Sequence, residues 1–532
     1  MFHKLRKQKN LFKLISEKSK ANLDGSYSEP IQVNLESNLN YLNQVLGDSE
    51  DFVTREFETY INKPIKVFIC FISDLIDTNQ VNQYITKPLM EPNFLNNYED
   101  CSIQSAPEII KSKILTVNSL HELSSMDAVL EAILSGQTAL FIDGYDTVFS
   151  IDTQGFASRA VDEPQTETVV RGPREGFTED LEVNTALIRR KIINPKLIFE
   201  KIKLGRQTNT VVKIAYLNGI ANPDVIKEVK KRVNQINLDA VLESGYIEQL
   251  IEDRPFSIFP LVGNTEKPDI VAAKLLEGRV AILCNGTPFV LTVPLLFLES
   301  LQASEDYYSR PYLSSLIRLY RLLSLLLTVA LPGVYVALSS YHQEMVPTVL
   351  LTSIAASEEQ VPFSTFVEAL LMIIIFTVLR ETGTRMPKAV GGAVTIVGGL
   401  ILGEAAVQAG LVSYPMIIVV AVTGITGFLV SALTDPIHIA RLGLLVMAGV
   451  MGLYGVVLGG LLLLIHMCSL RSFGTPYLEP FAPTIMNELK DSLIRVPFSF
   501  MKRRPAPISK RKSIRQQLPA PILNPSKDGD ES

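Results

Sequence analysis

The chain has 532 residues, a formal net charge of −5 and a hydrophobic content of 47%. This length suffices for about three or four domains, and the slightly acidic balance argues against general binding to nucleic acid. The average hides a division, because the first 300 residues have an ordinary soluble composition and long apolar stretches follow them. We therefore expect a cytosolic α/β module of two related subdomains, followed by an α-helical multi-pass membrane domain.

Residues 1–25 are basic and lack the continuous apolar stretch of a secretory signal. We expect a disordered tail here and a module that stays in the cytoplasm. Residues 481–532 are expected to hold an amphipathic segment and a second basic tail. Both tails admit two interpretations, a solvated segment or one attracted to anionic lipid. The four cysteines lack metal-binding spacing, so we expect neither a metal site nor a cofactor.

A short pattern occurs twice in the soluble part. A helix-like stretch ends at Gly136 and is followed by a strand-like stretch and Asp143-Gly144, and the same order recurs at Gly278 and Asn285-Gly286. Glycine after a helix suits a left-handed cap, and Asp-Gly or Asn-Gly suits a tight hairpin turn. The repeat predicts two related α/β subdomains. They cover residues 26–160 and residues 196–300.

The stretch between the subdomains, residues 161–195, is polar and carries charges of both signs. It has neither a P-loop sequence nor a strand leading into a dinucleotide-binding glycine motif, so a nucleotide site is not expected. A linker that makes its own ion pairs, or an interface between subdomains or subunits, fits it better. The candidate interface residues are Arg171, Arg174 and Glu175. The five histidines are dispersed and no nucleophile with a base stands out, so we do not expect an enzyme.

Residues 301–480 contain five apolar segments that we interpret as membrane-spanning. They are residues 317–341, 362–379, 387–411, 415–433 and 439–470. Basic residues before the first segment and after the second place the N-terminal side in the cytoplasm by the positive-inside rule. Five crossings would leave the C-terminus outside, whereas its basic tail favours the inside. A re-entrant segment, a later segment that re-enters, or a misleading charge distribution would each remove this conflict.

Pro332 and Gly333 stand in the middle of the first apolar segment. Proline removes a backbone donor and obstructs a helix, so the pair predicts a kink or a break. The pair is therefore a candidate hinge. Simple packing is an equal alternative, because both residues are frequent in membrane helices.

The third apolar segment is rich in glycine. Small side chains let helices approach closely, but they also leave an opening where helices of several subunits surround an axis. Two carboxylates in the apolar region favour the pore, because an ionisable group in hydrocarbon is costly unless it faces water or a partner. The candidate pore or gating residues are Gly391, Val394, Val397, Gly398, Leu402, Glu404 and Glu368. The alternative for Glu368 is a place near the outer interface, where the cost is small.

Several longer strings resemble one family. They are similar to the A subunits of bacterial spore germinant receptors, the GerA-type receptors, over about residues 60–490. The strings include Val169-Val-Arg-Gly-Pro-Arg-Glu-Gly-Phe, Thr265-Glu-Lys-Pro-Asp, Glu305-Asp-Tyr-Tyr and Arg380-Glu-Thr-Gly-Thr-Arg-Met-Pro-Lys. The last string adds three candidate interface residues, Arg380, Glu381 and Arg385.

This resemblance implies a multi-pass subunit of the spore inner membrane. It also implies partners, namely a permease-like B subunit, a lipoprotein C subunit, further copies of the chain in a homo-oligomer, and membrane lipids. We interpret the chain as a non-enzymatic receptor subunit that forms a nutrient-gated cation channel and triggers germination. The alternatives are a secondary transporter subunit and a non-conducting scaffold that couples the permease-like partner to downstream germination machinery.

Overall fold

The computed structural model describes residues 30–61, 63–90, 110–111, 119–155, 163–164, 167, 169–385, 403–486, 489–501, 503–505, 508 and 514. The predicted tail at residues 1–25 lies outside the described residues, as does most of the predicted C-terminal tail. The described chain forms an α/β module followed by a bundle of helices.

The first subdomain is a five-stranded antiparallel sheet with the strand order β1-β2-β4-β5-β3. Its elements are α1 (Leu35–Leu46), β1 (Phe52–Ile61), β2 (Lys63–Ile72), β3 (Leu120–Leu123), α2 (Met126–Leu134), β4 (Gln137–Ile142) and β5 (Val148–Asp152). Successive side chains of a strand point to opposite faces, and on β2 Val67 and Ile69 enter one core whereas Phe68 and Cys70 enter the other. Both faces of the sheet are therefore buried.

The second subdomain has the same antiparallel arrangement, with the strand order β6-β7-β9-β10-β8. Its elements are α3 (Leu181–Lys191), β6 (Leu197–Leu204), β7 (Thr210–Leu217), α4 (Pro223–Gln235), α5 (Ser244–Ile251), β8 (Gly263–Thr265), α6 (Pro268–Glu277), β9 (Val280–Cys284) and β10 (Val290–Val293). Helices α3 and α6 contribute to the core on one face of the sheet, and α4 and α5 to the core on the other. The shared strand order confirms the predicted duplication.

The glycines of the repeat adopt the conformations that the sequence predicts. Gly136 and Gly278 follow α2 and α6 with φ values of +87° and +105°, so both helices end in a left-handed glycine. Gly144 and Gly286 also have positive φ values, of +89° and +92°. They lie in hairpin loops that are longer than the predicted tight turn, because each loop continues for several residues before β5 or β10 begins.

The prediction of a linker at residues 161–195 is wrong for the second half of this stretch, because α3 lies there and belongs to the second subdomain. Leu187 and Ile188 of this helix are buried in the core of that subdomain. The Asp180 side chain accepts hydrogen bonds from backbone N–H groups of the first turn and thereby caps the helix. The exposed side of α3 carries many charged residues, so the composition of this stretch did not indicate that the helix has an apolar side.

Two buried ion pairs connect the subdomains. The Arg189 side chain is 1% exposed, and its Nε and Nη2 lie 2.8 and 2.9 Å from the two carboxylate oxygens of Asp51. Lys213 Nζ lies 2.7 Å from Asp74 Oδ2. Burial alone would raise the pKa of Asp51, but the Arg189 guanidinium stabilises the carboxylate and the net pKa is lowered. These pairs fix the two subdomains against each other, because breaking either would leave a buried charge unpaired.

The bundle follows the module in the chain. Its helices are α7 (Glu305–Tyr308), α8 (Pro311–Ser340), α9 (Thr348–Glu358), α10 (Thr365–Arg385), α11 (Tyr414–Phe428), α12 (Thr434–Met451) and α13 (Leu453–Ser469). Among the described residues, two helical stretches are long and apolar enough to cross a membrane by length and composition, Pro311–Ser340 and Ser431–Met451. Helices α9, α11 and α13 are apolar but shorter.

Helix α8 packs against α10, α11, α12 and α13 and is the centre of the bundle. We call the end where α8 begins, beside the module, the module end, and the opposite end the far end. Helices α10 and α11 run from the far end to the module end. Helix α12 runs back to the far end, where the Tyr341 hydroxyl donates to the Gly449 carbonyl at 2.5 Å.

The predicted apolar segment at residues 439–470 is not one span but parts of two helices. Gly452 separates α12 from α13 with φ 61° and ψ −140°, a conformation that glycine adopts far more readily than other residues. A Cβ at this position would come within 2.9 Å of side-chain atoms of Tyr341 and His342. No charged residue marks the turn, so hydropathy alone predicted a single segment.

Helix α13 returns to the module end and leads into a hairpin of β11 (Arg471–Ser472) and β12 (Thr475–Pro476). Ser472 Oγ donates to the Leu261 carbonyl at 2.6 Å. The Phe473 N–H donates to Asp253 Oδ2 at 2.6 Å, and the Phe473 ring packs in a core of the second subdomain. The start of α8 and the end of α13 therefore lie at the same end of the bundle.

Candidate functional site

A cluster of charged side chains lies where α7, the start of α8 and the segment after the bundle meet. We call this cluster the junction. Arg318 and Arg321 share one face of α8, because residues three apart in a helix are neighbours. Pro311 begins α8 at a position that suits proline and so fixes where this face points. The junction consists of Asp306, Tyr307, Arg318, Arg321, Asp491 and Arg495.

Arg318 is the centre of the junction. Its side chain is 1% exposed and pairs with two carboxylates, through Nε to Asp306 Oδ2 at 3.0 Å and through Nη1 to Asp491 Oδ1 at 2.9 Å. Arg321 Nη1 reaches the same Asp306 oxygen at 2.8 Å. Asp306 precedes α8 in the sequence, and Asp491 follows the last helix of the bundle. Arg318 therefore connects the segment before α8 to the segment after the bundle.

Arg495 holds the backbone that leads into α8. Its Nη1 donates to the carbonyls of Asp306 and Ser309 at 2.6 and 2.7 Å. The Tyr307 ring lies beside the guanidinium groups of Arg318 and Arg495, with centroid distances of 5.3 and 5.6 Å. Burial and the nearby Asp491 raise the pKa of Tyr307 well above its ordinary value. The Tyr307 hydroxyl is therefore a neutral donor, and it donates to Asp491 Oδ2 at 3.0 Å.

The polar loop between the subdomains contacts α7 next to the junction. Glu305 accepts hydrogen bonds from the backbone N–H groups of Val170 and Arg171. Gly172 lies under the Tyr308 ring, where a Cβ would be 2.9 Å from two ring carbons. The loop is thus fitted to the segment that enters α8, and a side chain at Gly172 would push it away.

The start of α6 contacts α7 from the other side. Lys267 is 1% exposed, and its Nζ lies 3.2 Å from Ser304 Oγ and 3.7 Å from Asp269 Oδ2. Asp269 Oδ2 also accepts the Tyr308 hydroxyl at 2.7 Å. Polar contacts from α6, from the loop and from the C-terminal segment therefore converge on α7. Most of their donors and acceptors engage each other, although Arg318 Nη2, Arg495 Nε and Asp269 Oδ1 have no hydrogen-bond partner among the described residues. These contacts connect the module to the start of α8.

The comparison with known families decides the identity of this architecture. A model of the family described as Bacillus/Clostridium GerA spore germination protein matches residues 40–507. The chain belongs to the GerA family. The match covers both subdomains, the bundle and the junction.

Two individual spore germination proteins agree with the GerA assignment. The chain is 43% identical to spore germination protein KA of Bacillus subtilis (strain 168) over 501 residues, which cover 93% of this chain and 91% of that protein. It is 40% identical to spore germination protein B1 of the same organism over 489 residues, 92% of this chain and 100% of that protein. The solved N-terminal domain of the A subunit of the Bacillus megaterium spore germinant receptor GerK3 is 36% identical, with a TM-score of 0.40, over 51% of this chain and 98% of that chain.

In this GerA-family chain, two of the three predicted interface residues of the loop form ion pairs within the chain. Arg174 Nη1 lies 3.1 Å from Glu163 Oε1, and Glu175 Oε2 lies 2.9 Å from Lys191 Nζ. The hydrogen bond from Lys191 lowers the pKa of Glu175. The loop therefore makes its own ion pairs, as predicted. A role for Arg171, Arg174 and Glu175 between subunits stays a prediction.

Glu368 lies at the far end, near the start of α10. It is 1% exposed, and its Oε1 accepts the Ser413 backbone N–H at 2.5 Å and the Ser413 hydroxyl at 2.6 Å. The carboxylate thereby connects the start of α10 to the start of α11. The position fits the expected place near one end of the bundle, but the cost of burial is met by Ser413 and not by open solvent. A pore role for Glu368 stays a prediction.

Glu404 is exposed in a short helical stretch at residues 403–408, where its Oε1 accepts a hydrogen bond from Gln408 Nε2 at 3.3 Å. Its pore role also stays a prediction. The other candidate pore residues lie outside the described residues. They are Gly391, Val394, Val397, Gly398 and Leu402.

The candidate hinge lies at a helix contact. Helix α8 continues through Pro332, and both Pro332 and Gly333 are buried. A Cβ at Gly333 would be 3.4 Å from the Leu444 carbonyl oxygen and 3.5 Å from Ala448 Cβ, so the glycine lets α12 approach closely. The predicted break is absent, and the packing interpretation explains the glycine. Movement about the pair stays a prediction.

Arg380 is the first of the three candidate interface residues at the end of α10. Its Nη1 lies 3.1 Å from His438 Nε2, and its Nη2 donates to Thr434 Oγ1 at 3.1 Å. Glu381 is exposed on the same turn, and Arg385 is the last residue of α10. Arg380 therefore contacts α12 of its own chain. Contacts of Arg380, Glu381 and Arg385 with another subunit stay predictions.

Proposed function

We propose that this GerA-family chain is a membrane-spanning subunit of a spore germinant receptor and that it couples its α/β module to an ion pathway. The observation that carries the proposal is the junction, where Arg318 of α8 is paired with carboxylates from both flanking segments. Removing one partner of a buried charge pair typically costs about 3–5 kcal/mol. A displacement of the module would therefore move α8 rather than slide past it.

The arrangement of the bundle supports a multi-pass topology. Residues 386–402 connect a described segment at the module end to one that contacts Ile417 near the start of α11. With this connection, the chain would cross six times and bring the C-terminal segment back to the side of the module. Residues 341–364 and 403–413, at the far end, contain no Lys or Arg. Arginines gather at the module end, which the positive-inside rule places in the cytoplasm.

The proposed pore is formed by several copies of the chain around the segment at residues 387–411. The described bundle exposes large apolar side chains, among them Ile418, Ile425 and Leu462. Such surfaces suit hydrocarbon or the contact with further copies. The permease-like B subunit and the lipoprotein C subunit are proposed as partners, with nutrient binding mainly on a partner. Release of cations would then start germination in the spore inner membrane.

The test is ion flux through the assembled receptor in lipid vesicles. Val397→Ala should cause cation leak in the absence of nutrient, because it widens the proposed pore. Val457→Ala is the matched control, since Val457 is 70% exposed on α13 and should behave like wild type. Stepwise single-channel currents on adding a mixture of amino acids and sugars would support a channel.

Other results of the same recordings identify the alternatives. Saturable uptake coupled to a solute would indicate a secondary transporter. Electrical silence with retained binding of the B and C subunits would indicate a scaffold. Wild-type flux across a series of small-for-large changes between Val390 and Leu402 would count against this placement of the pore.

A further inference from the structure

A second cluster of basic side chains lies inside the bundle towards the module end. We call it the arginine pocket and define it by Arg380 on α10 and His438 and Arg441 on α12. Thr328 of α8 and Thr423 of α11 line the same cavity. The cavity has a volume of about 10 Å³, which is room for about one water-sized group. Arg441 is 3% exposed, whereas Arg380 is half-buried at the rim.

The hydrogen bonds of His438 do not satisfy both arginines. Arg380 Nη1 lies 3.1 Å from His438 Nε2, and Arg441 Nη2 lies 2.8 Å from His438 Nδ1. A neutral imidazole has one acceptor nitrogen and one N–H, and a protonated imidazole has no acceptor. Guanidinium nitrogens only donate. At most one of these two contacts can therefore be a hydrogen bond, and at least one arginine N–H at this histidine lacks an acceptor.

Arg441 has a further unused donor. Its Nε is buried and has no hydrogen-bond partner among the described residues. The Thr423 hydroxyl donates to the Val419 carbonyl at 2.7 Å. The Thr434 hydroxyl donates to the Ser431 carbonyl at 2.8 Å and accepts a hydrogen bond from Arg380 Nη2 at 3.1 Å, so it serves Arg380 and not Arg441. An unsatisfied buried donor is costly, and more so when it is charged. The pocket therefore has more positively charged donors than acceptors among the described residues.

No carboxylate of the described residues forms an ion pair with Arg380 or Arg441. The carboxylates nearest in the sequence to Arg380 and to Arg441 are Glu381 and Asp435, both exposed. The sequence from residue 382 to residue 403 contains no Asp or Glu and adds Arg385 and Lys388. That connection therefore cannot supply a carboxylate.

We propose that the arginine pocket binds a phosphate group, with one phosphate oxygen in the cavity beside Arg441 and the remaining oxygens at the rim beside Arg380. Guanidinium groups match the geometry of phosphate oxygens and bind them with charge-assisted hydrogen bonds. A cavity of water size accommodates one such oxygen but not a whole phosphate. This binding does not depend on whether the bundle conducts ions.

The rim indicates where the phosphate comes from. The Arg380 guanidinium lies 5.5 Å from the centroid of the Phe428 ring, which is 56% exposed, and Leu429 beside it is 52% exposed. The rim thus opens towards the apolar outer surface of the bundle at its module end. Basic pockets between helices at this level of a membrane bind anionic headgroups. The phosphate of an anionic lipid and free inorganic phosphate share the required chemistry, and the test separates them.

The test is thermal unfolding of the full-length chain in a neutral detergent, followed by circular dichroism. Phosphatidylglycerol, phosphatidylcholine or inorganic phosphate is added, with chloride at equal ionic strength as the reference. The variants are Arg441→Gln, Arg380→Gln and the control Arg310→Gln, which removes an exposed cation at the same end. Arg380→Gln acts at the rim and keeps the test valid if Arg441→Gln does not fold.

The expected result is a rise of Tm with phosphatidylglycerol that exceeds the rise with phosphatidylcholine. Either pocket variant should weaken apparent affinity for the headgroup about tenfold or more, the usual effect of losing a charged hydrogen bond. Stabilisation by inorganic phosphate over chloride would assign the site to a soluble anion and still support the pocket. Equal stabilisation by both lipids without a phosphate effect, or a full response in both pocket variants, would overturn the proposal.

Discussion

The junction and the arginine pocket are both buried clusters of arginine at the module end of the bundle, but they differ in their counter-charges. At the junction, Arg318 meets two carboxylates and Arg495 meets backbone carbonyls. In the arginine pocket, Arg380 and Arg441 meet one imidazole and no carboxylate of the described residues. The charges of the junction are paired with carboxylates of the chain, although Arg318 Nη2 and Arg495 Nε have no hydrogen-bond partner among the described residues. The arginine pocket has no counter-charge among those residues, and we propose that a ligand supplies it.

This difference shows that a buried charge can affect stability in two ways, through a partner within the chain or through a ligand. A charge pair that is complete within the chain fixes the relative positions of the segments that supply it. A charge whose partner comes from outside makes stability depend on that partner, because a ligand that binds only the folded state stabilises it. The junction should therefore respond to mutation and the arginine pocket to the composition of the surrounding solution and lipid.

Arg318→Gln should have the largest effect. It leaves Asp306 and Asp491 without their shared partner, and the loss of one member of a buried pair costs about 3–5 kcal/mol of unfolding free energy. Thermal unfolding by circular dichroism measures this loss, since the chain has no Trp for fluorescence. Arg310→Gln, at the exposed start of α8, is the control and should change Tm little. Equal Tm values for the two variants would mean that the junction does not hold the bundle.

Arg441→Met should increase the stability of the fold, whereas Arg318→Gln should decrease it. Without an anion, Arg441 is a buried charge with an unused donor, and its replacement by an apolar side chain should stabilise the fold by about 1–3 kcal/mol. The gain should vanish when phosphatidylglycerol is added, because wild type then has its partner. The measurement is the difference in Tm between variant and wild type with and without this lipid. A destabilised variant under both conditions would show that Arg441 is satisfied within the chain.

Asp491→Asn should make the junction resemble the arginine pocket. It removes one of two carboxylates while keeping an amide oxygen that can accept from Arg318, so the expected loss is about 1–2 kcal/mol. The variant should also show a larger rise of Tm with sulfate or phosphate than wild type, because the arginine pocket is unchanged in both and only the variant has a new unpaired charge at the junction. Asp435→Asn removes an exposed carboxylate at the same end of the bundle and is the control. An anion response that is equal in wild type and Asp491→Asn would contradict the comparison.

Local patterns predicted the module better than the bundle. The repeated glycines at Gly136 and Gly278 predicted the duplication, because cap and turn conformations depend on nearby residues. Helix α3 was missed because its exposed charges dominate the composition of residues 161–195. The turn at Gly452 was missed because an apolar sequence continues through it and the tight contact with Tyr341 comes from another helix.

The sites depend on contacts between residues that are far apart in the sequence. Glu368 stood out as an ionisable residue in an apolar stretch, but its partner Ser413 could not be predicted from spacing. Asp306 precedes the helices of the bundle in the sequence and Asp491 follows them. No local sequence pattern could therefore predict that both contact Arg318. Arg441 was not among the residues that the sequence singled out, because its burial follows only from the fold.

Glu248 offers the test with the smallest expected effect. It is a partly buried carboxylate that has no cationic partner among the described residues. It therefore lacks a counter-charge as the arginine pocket does, but with the opposite sign. Burial, with Glu252 adding to the effect, raises the pKa of Glu248 to about 7, whereas an unfolded glutamate titrates at about 4.3. The folded state thus favours the protonated form, and stability should fall as pH rises from about 4 to about 7. Glu248→Gln should raise stability by about 1 kcal/mol at pH 8, after allowance for solvent screening, and leave it unchanged at pH 4. Unfolding of the variant and wild type across this pH range measures the difference, with the exposed Glu131→Gln as control. A constant difference between pH 4 and pH 8 would mean that burial does not raise the pKa of Glu248, and that this carboxylate is not a counterpart of the arginine pocket.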